Sequence, residues 1–180
     1  MSVEDPAVVA DQMRREFDTS FQRPHALDRE REVELLAIRA GGMPLAVRTL
    51  EVSGVLRCPS ISALPSSFPA FLGVCRVRGT LVAAYDLSAV LGGTASTVRR
   101  WMLLCGPDRT FGIVIDELEG ARRAPASQIP AVPDERSGEL VPESVALDGT
   151  SRPLLRIPAL IEAVARSARP SRPSRSEERW

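Results

Sequence analysis

The chain has 180 residues, which is the length of one domain or of two small ones. Its composition, 44% hydrophobic but only 4% aromatic, favours a folded core of aliphatic side chains over a disordered chain. The 23 basic residues balance 23 acidic ones, which disfavours a general nucleic-acid binder, because affinity for a polyanion grows with the number of phosphates neutralised. No apolar run reaches the roughly 18–20 residues of a membrane span, and the polar N-terminus lacks a signal-peptide segment. We therefore predict a cytoplasmic protein that does not insert into a membrane.

Missing residue types exclude several chemistries. The chain contains no Lys, no Asn and a single His, His25. A phosphate-binding loop and a Schiff base need Lys, and hydrolytic triads and zinc sites ordinarily need a His among polar ligands. Cys58, Cys75 and Cys105 are widely spaced and odd in number, and the last two lie inside apolar runs, so we predict buried, unpaired thiols. We therefore expect none of these catalytic sites, no metal site and no cofactor; a small enzyme with an unrecognised site is the alternative that this absence leaves open.

The N-terminal segment, residues 1–32, is predicted to be a helical extension. Asp5 suits the N-cap and Pro6 suits the first helical position. Apolar residues recur every four positions: Val9, Met13, Phe17 and Phe21. This stripe either packs on the protein's own surface or docks on another protein.

The body of the chain, residues 33–167, is predicted to be mainly β. Its short runs of Val, Leu and Ile are punctuated by Gly turns, as in a series of hairpins. Three hairpins are predicted: Leu35–Arg39 with Met43–Arg48, Leu72–Arg78 with Leu81–Tyr85 around Gly79-Thr80, and Trp101–Cys105 with Phe111–Ile115. Two short helical stretches follow later strands, one after a capping Asp86 and one at Ile157–Val164.

A weak internal repeat appears when the chain is shifted by about 70 residues. Gly79-Thr80 then coincides with Gly149-Thr150, and Leu87 coincides with Ile157. The shared order of turn, strand and helix predicts two similar halves, which we expect to form two small β-barrels that share an interface or exchange strands.

The C-terminal end, residues 168–180, alternates Arg, Pro and Ser and offers little to bury. This composition predicts a disordered tail.

The segment Leu72–Leu87, which reads LGVCRVRGTLVAAYDL, resembles the signature of the CheW family of bacterial chemosensory adaptors. Pro44–Val47 precedes it and Phe111–Leu118 follows it in the order found in that family, and the similarity covers about residues 33–165. Two positions depart from the pattern. Arg76 replaces an Asn, and Arg156 stands where an acidic residue is usual.

The resemblance implies two intertwined five-stranded SH3-like β-barrels with a short C-terminal helix. It also implies a non-enzymatic adaptor without cofactors, which couples the cytoplasmic tip of methyl-accepting chemoreceptors to a CheA-type histidine kinase by imitating part of that kinase's regulatory domain. Such an adaptor would reach the membrane only through receptor arrays. A divergent member would instead bind a single partner and regulate it without bridging.

Arg78 is the leading candidate for a protein-binding residue, since it matches the family's Arg position. Strict alternation would place Leu72, Val74, Arg76 and Arg78 on one face of a strand, an apolar patch that ends in guanidiniums. On sequence alone, a solvated Arg at the end of a hairpin is the competing interpretation.

Val74, on the same predicted face, is a second candidate for protein binding, and four further residues complete the candidate set. Gly73, Gly79 and Gly112 permit either close approach of a partner backbone or turns, bulges and tight corners of the barrel itself. Glu51 matches an acidic position near the family's binding surfaces and is otherwise an exposed charge in a connector. The acidic residues at 116, 117 and 119 are interpreted as structural or rim charge, because no phosphate-binding loop accompanies them.

Overall fold

The computed structural model describes residues 31–131 and 139–168. The predicted N-terminal helix and all but the first residue of the predicted tail lie outside the described residues. Every element given below belongs to the compact unit that begins at Glu32. Within the described ranges no helix is long and apolar enough to cross a membrane.

Ten strands and two helices make up the described fold. Strands β1 to β10 cover Glu32–Ala40, Met43–Arg48, Val52–Arg57, Phe71–Val77, Thr80–Asp86, Trp101–Cys105, Phe111–Ile115, Glu117–Pro125, Glu143–Leu147 and Thr150–Leu155. Helix α1, Leu87–Val90, follows β5, and helix α2, Ile157–Ser167, follows β10. Single 3₁₀ turns lie at Thr49–Glu51 and Ala126–Gln128.

The strands form two five-stranded sheets, which we call barrel A (order β8-β1-β2-β10-β9) and barrel B (order β3-β6-β7-β5-β4). Each contains two antiparallel hairpins joined through a parallel pair, β2 with β10 in barrel A and β7 with β5 in barrel B. Barrel B is one continuous segment inserted between β2 and β8 of barrel A. The predicted fold, mainly β with two five-stranded subdomains, is confirmed.

The three predicted hairpins are confirmed as β1–β2, β4–β5 and β6–β7. The repeat is confirmed too, because β4–β5 and β9–β10 occupy corresponding places in the two sheets. One detail differs. Thr80 pairs with Val77, so the turn residues are Arg78 and Gly79, with φ angles of 48° and 88°. A two-residue turn with both φ angles positive matches the twist of the flanking strands.

Three apolar clusters form the core of the described part of the chain. One fills barrel A, one fills barrel B and the largest lies between the barrels. Strand β1 contributes to two of them, since Leu35 and Ala37 face the interior of barrel A while Leu36 and Ile38 join the cluster between the barrels. A strand that is buried on both faces has a nearly continuous apolar sequence, which is why residues 35–38 show no alternation of apolar and polar side chains.

The predicted burial of thiols is confirmed for Cys75 inside barrel B and for Cys105 between the barrels, and both are unpaired. Burial, with a smaller contribution from the charge of Glu51, raises the pKa of Cys105 to about 12. Cys58 is half-buried, and burial raises the pKa of its thiol as well.

The two predicted helical stretches that follow later strands are confirmed. Asp86 accepts hydrogen bonds at 3.0 Å from the backbone N–H groups of Ala89 and Ser96, which caps α1 and fixes the loop that follows it. Helix α2 has a Pro in its first turn and buries Ile157 and Leu160 in the cluster between the barrels.

Candidate protein-interaction site

A groove opens at one end of barrel B, between edge strand β3 and the β4–β5 turn. Its volume is about 270 Å³, and it is lined by Ser53, Gly54, Val55, Leu56, Val77, Arg78, Thr80, Leu104 and Arg109. Leu56, Val77 and Leu104 also belong to or pack against the cluster inside barrel B, so they supply an apolar floor. The lining includes two arginines and no acidic residue. The groove therefore combines an apolar surface with positive charge.

Arg78 is exposed and makes no ion pair with any described residue. The turn holds it at the groove, and the adjacent Gly79 is equally exposed, with nothing within 4 Å of the position that a Cβ would take. A backbone with φ of 88° disfavours other residues at Gly79. Turn geometry thus explains the Arg-Gly pair locally, and it leaves the guanidinium free for an external carboxylate.

The predicted face of alternating residues is correct only in part. Strand β4 shifts register between Phe71 and Gly73, and this bulge turns Leu72 toward the apolar cluster inside barrel B. Val74 and Arg76 stay on the outer face, where Arg76 lies opposite Leu81, an apolar side chain that is 62% exposed. The prediction that Leu72 shares this face is wrong because a bulge reverses the alternation.

Gly73 and Gly112 are buried and are required by contacts within the chain. A Cβ on Gly73 would lie 2.1 Å from the carbonyl oxygen of Ser62, whose segment bridges to Val74. A Cβ on Gly112 would lie 2.9 Å from both Met102 Sδ and a Val82 methyl carbon. Their part in partner binding stays a prediction.

Glu51 lies away from the groove, in the 3₁₀ turn that joins the two barrels. Its carboxylate accepts a hydrogen bond of 2.7 Å from the backbone N–H of Ile157, at the start of α2. Arg48 lies 4.0 Å from the same carboxylate. Glu51 is half-buried, and its hydrogen bond anchors the start of the C-terminal helix. Its neighbour Leu50 is 96% exposed.

Charge is distributed unevenly between the barrels. The segment from β3 to β7, residues 52–115, carries six arginines against two aspartates, one of which is the buried Asp86. Among the described residues, every ion pair lies outside this segment. Of the six arginines, Arg57 packs over the Trp101 ring at 4.2 Å. The balanced total charge conceals a positive barrel B.

Sequence reasoning did not identify Arg109 or Val55 as residues of this site. Arg109 lies in the β6–β7 turn with a φ of 54°, and it reaches the groove only because that turn meets strand β3. Val55 is one of the few large apolar side chains exposed in the described residues, at 37%. The alternation of side chains along Val52–Arg57 was the sequence signal that could have indicated Val55 as an exposed strand residue.

The paired five-stranded barrels and the apolar, positively charged groove define a two-barrel β module with a candidate protein-interaction surface. The sequence model of the CheW-like domain matches residues 34–165, and the chain belongs to this family. The fold is similar to that of the scaffolding protein TtCheW from Thermoanaerobacter tengcongensis, with a TM-score of 0.63 and 14% identity, over 72% of this chain and 92% of that one. No curated protein matches the chain.

Proposed function

We propose that this protein is a non-catalytic chemosensory adaptor that couples chemoreceptors to a CheA-type histidine kinase in chemotaxis or motility signalling. The observation that carries the proposal is the free Arg78 at an apolar groove of barrel B, in a chain of the CheW-like family. Charge-assisted hydrogen bonds from a guanidinium, beside an apolar anchor, are typical of the energetically dominant centre of a protein interface.

The kinase regulatory domain is assigned to the groove of barrel B. The receptor tip is assigned to the 3₁₀ turn between the barrels, where Leu50 projects almost fully into solvent beside Glu51. A single apolar side chain at that exposure suits a groove between receptor helices. The protein would then work in the cytoplasm and meet the membrane only through receptor arrays.

A module that binds one partner without bridging is the second candidate. It is favoured by Arg76 and Arg156, which are exposed and form no ion pair among the described residues. Each replaces a neutral or acidic residue of the family pattern, and such a change of charge alters partner choice.

The two candidates are separated by mixing the protein with a kinase regulatory domain and a receptor cytoplasmic fragment, and measuring the mass of the complex by light scattering. A ternary complex supports the adaptor, and two mutually exclusive binary complexes, or only one binary complex, support the single-partner module. Leu50→Ser should remove the receptor fragment and spare the kinase domain, and Arg78→Ala should do the reverse. Loss of both partners from either variant would contradict the assignment of separate surfaces.

A further inference from the structure

The two barrels correspond residue by residue beyond the repeated hairpins. Following the strand pairing outward from those hairpins gives these equivalent pairs: Ala84 and Leu154, Gly112 and Ala46, Leu104 and Ala37, and Gly54 and Gly120. Strands β3 and β8 also share a register shift next to their glycines. On this register Leu56 corresponds to Arg122 and Arg78 corresponds to Asp148.

Barrel A uses these positions to close itself. Arg122 Nε donates to Asp148 Oδ2 at 2.8 Å, which joins edge strand β8 to the β9–β10 turn. A second link across the same gap joins Glu119 of β8 to the buried Arg152 of β10. Two ion pairs therefore tie together strands that share no backbone ladder.

Barrel B lacks both links. The positions of Arg122 and Glu119 are occupied by Leu56 and Ser53, and the position of Arg152 is occupied by Val82. Arg78 keeps the turn position of Asp148 but forms no ion pair with a described residue, and the groove lining contains no acidic side chain. The groove lies in the gap that ion pairs close in barrel A.

We infer that this groove binds a carboxylate-bearing, extended segment of a protein partner, whose acidic side chain pairs with Arg78 and whose apolar side chain lies on Leu56 and Leu104. The inference rests on the proposed function and names the chemistry of the partner at that site. The partner's carboxylate would pair with Arg78 across the gap in barrel B, as Asp148 pairs with Arg122 across the corresponding gap in barrel A. Arg109 supplies a second cation, and a guanidinium suits a planar carboxylate better than an ammonium does.

A protein segment fits this groove better than a lipid surface or a nucleic acid. The space of about 270 Å³ is concave and has an apolar floor, whereas polyanions are bound mainly through an extended positive surface. Charge complementarity then predicts an affinity for the partner that falls as salt is added.

The first test needs no partner. Leu56→Glu places a carboxylate opposite Arg78, and Leu56→Gln is the uncharged control of the same size. We expect Leu56→Glu to melt about 1–3 °C higher than Leu56→Gln at low salt, with no difference once Arg78→Gln is added to both. Equal melting temperatures in the Arg78 background would overturn the proposed equivalence of the two barrels.

The second test measures binding of a CheA-type regulatory domain by calorimetry at 50 and 300 mM NaCl. We expect Leu56→Glu to bind at least 10-fold more weakly than Leu56→Gln, because its own carboxylate occupies Arg78. Arg78→Gln should also weaken binding and reduce its salt dependence. Equal affinities of the two Leu56 variants would overturn the inference. Binding to phosphatidylglycerol vesicles is measured in parallel. If Arg78→Gln weakens binding to the vesicles but not to the regulatory domain, the inference is also overturned.

If the parent protein binds no kinase domain, the proposed function fails and the groove is tested with a short peptide of alternating Glu and Val, against its Gln-Val counterpart. In a ¹⁵N spectrum the acidic peptide should shift the amide signals of Gly54 and Gly79, and the neutral peptide should leave them unchanged. Shifts from both peptides, or from neither, would overturn the assignment of a carboxylate to this groove.

Discussion

At the scale of single residues, Arg78 combines a structural constraint with a free functional group. Its backbone conformation, with φ of 48°, is set by the turn, while its side chain has no ion-pair partner among the described residues. Replacing it with Ala should keep the free energy of unfolding within about 0.5 kcal/mol of the parent, because the residue is exposed. Binding to the kinase domain should weaken about five- to hundred-fold.

Denaturant unfolding and calorimetry measure the two effects of Arg78→Ala separately. Arg100→Ala is the matched control, since Arg100 is also exposed on barrel B but does not line the groove. An unfolded Arg78→Ala variant would make the residue structural, and unchanged affinity for the kinase domain would remove it from that interface.

Gly73 and Gly79 look alike in the sequence, but the structure gives them different roles. Gly73→Ala should lose at least about 3 kcal/mol of stability, because its Cβ would overlap the Ser62 carbonyl oxygen at 2.1 Å. Gly79→Ala meets no atom within 4 Å and should cost only about 1 kcal/mol, for its positive φ. Urea unfolding of the two variants compares these losses directly, and losses of equal size would contradict the packing described around Gly73.

At the scale of elements, the acidic run at the start of β8 shows what pattern alone leaves open. The sequence pattern led to one interpretation for Asp116, Glu117 and Glu119, as structural charge or charge at the rim of the barrel. In the structure Glu119 bridges Arg39 and the buried Arg152, Asp116 accepts from the Gly42 N–H, and Glu117 stays exposed. Only the pairing of β8 with β1 and its approach to β10 distinguishes the three carboxylates.

Replacing Glu119 with Gln should destabilise barrel A by about 3 kcal/mol at neutral pH. The physical reason is that Arg152, whose side chain is only 5% exposed, would lose its charged partner, and its Nε and Nη1 already lack partners among the described residues. Chemical unfolding measures the loss. Glu117→Gln, at an exposed position, is the control and should stay within about 0.5 kcal/mol of the parent.

The same pair predicts the direction of a pH dependence. Hydrogen bonding to Arg152, together with the charges of Arg152 and Arg39, lowers the pKa of Glu119 below its usual value. Near and below pH 4 the unfolded chain therefore binds more protons than the native protein. The parent's advantage over Glu119→Gln should be complete above that range and disappear as the pH falls through the native pKa. A constant difference down to pH 2 would contradict this ion pair.

At the scale of the whole molecule, helix α2 joins the two barrels through the cluster between them. Ending the chain after Ala159 removes the buried Leu160 and Val164, so we expect the melting temperature to fall by more than about 10 °C. Ending it after Ser167 removes only the predicted tail and should leave the melting temperature nearly unchanged. A large loss from the second truncation would contradict the prediction that the tail is disordered.

Local patterns in the sequence determined the hairpins, the Asp86 cap, the Pro-led start of α2 and the recurrence of a turn at an interval of 70 residues. Each depends on backbone preferences or on contacts between residues close in the chain, so the signal lies within a few neighbouring positions. The motif around Arg78 and Gly79 could be recognised in the sequence for the same reason.

Only the tertiary structure decided which strands share a barrel, which strands are buried on both faces and which arginines form no ion pair among the described residues. Barrel A is assembled from segments more than 60 residues apart, with barrel B inserted between them, and the bulge at Gly73 reverses the side-chain alternation that the sequence implies. Ion pairs such as Arg122 with Asp148 form across a gap between strands that are not neighbours in the sheet. Their counterpart in barrel B is a groove because Leu56 and Arg78 cannot form such a pair, and that relation between distant residues exists only in the folded protein.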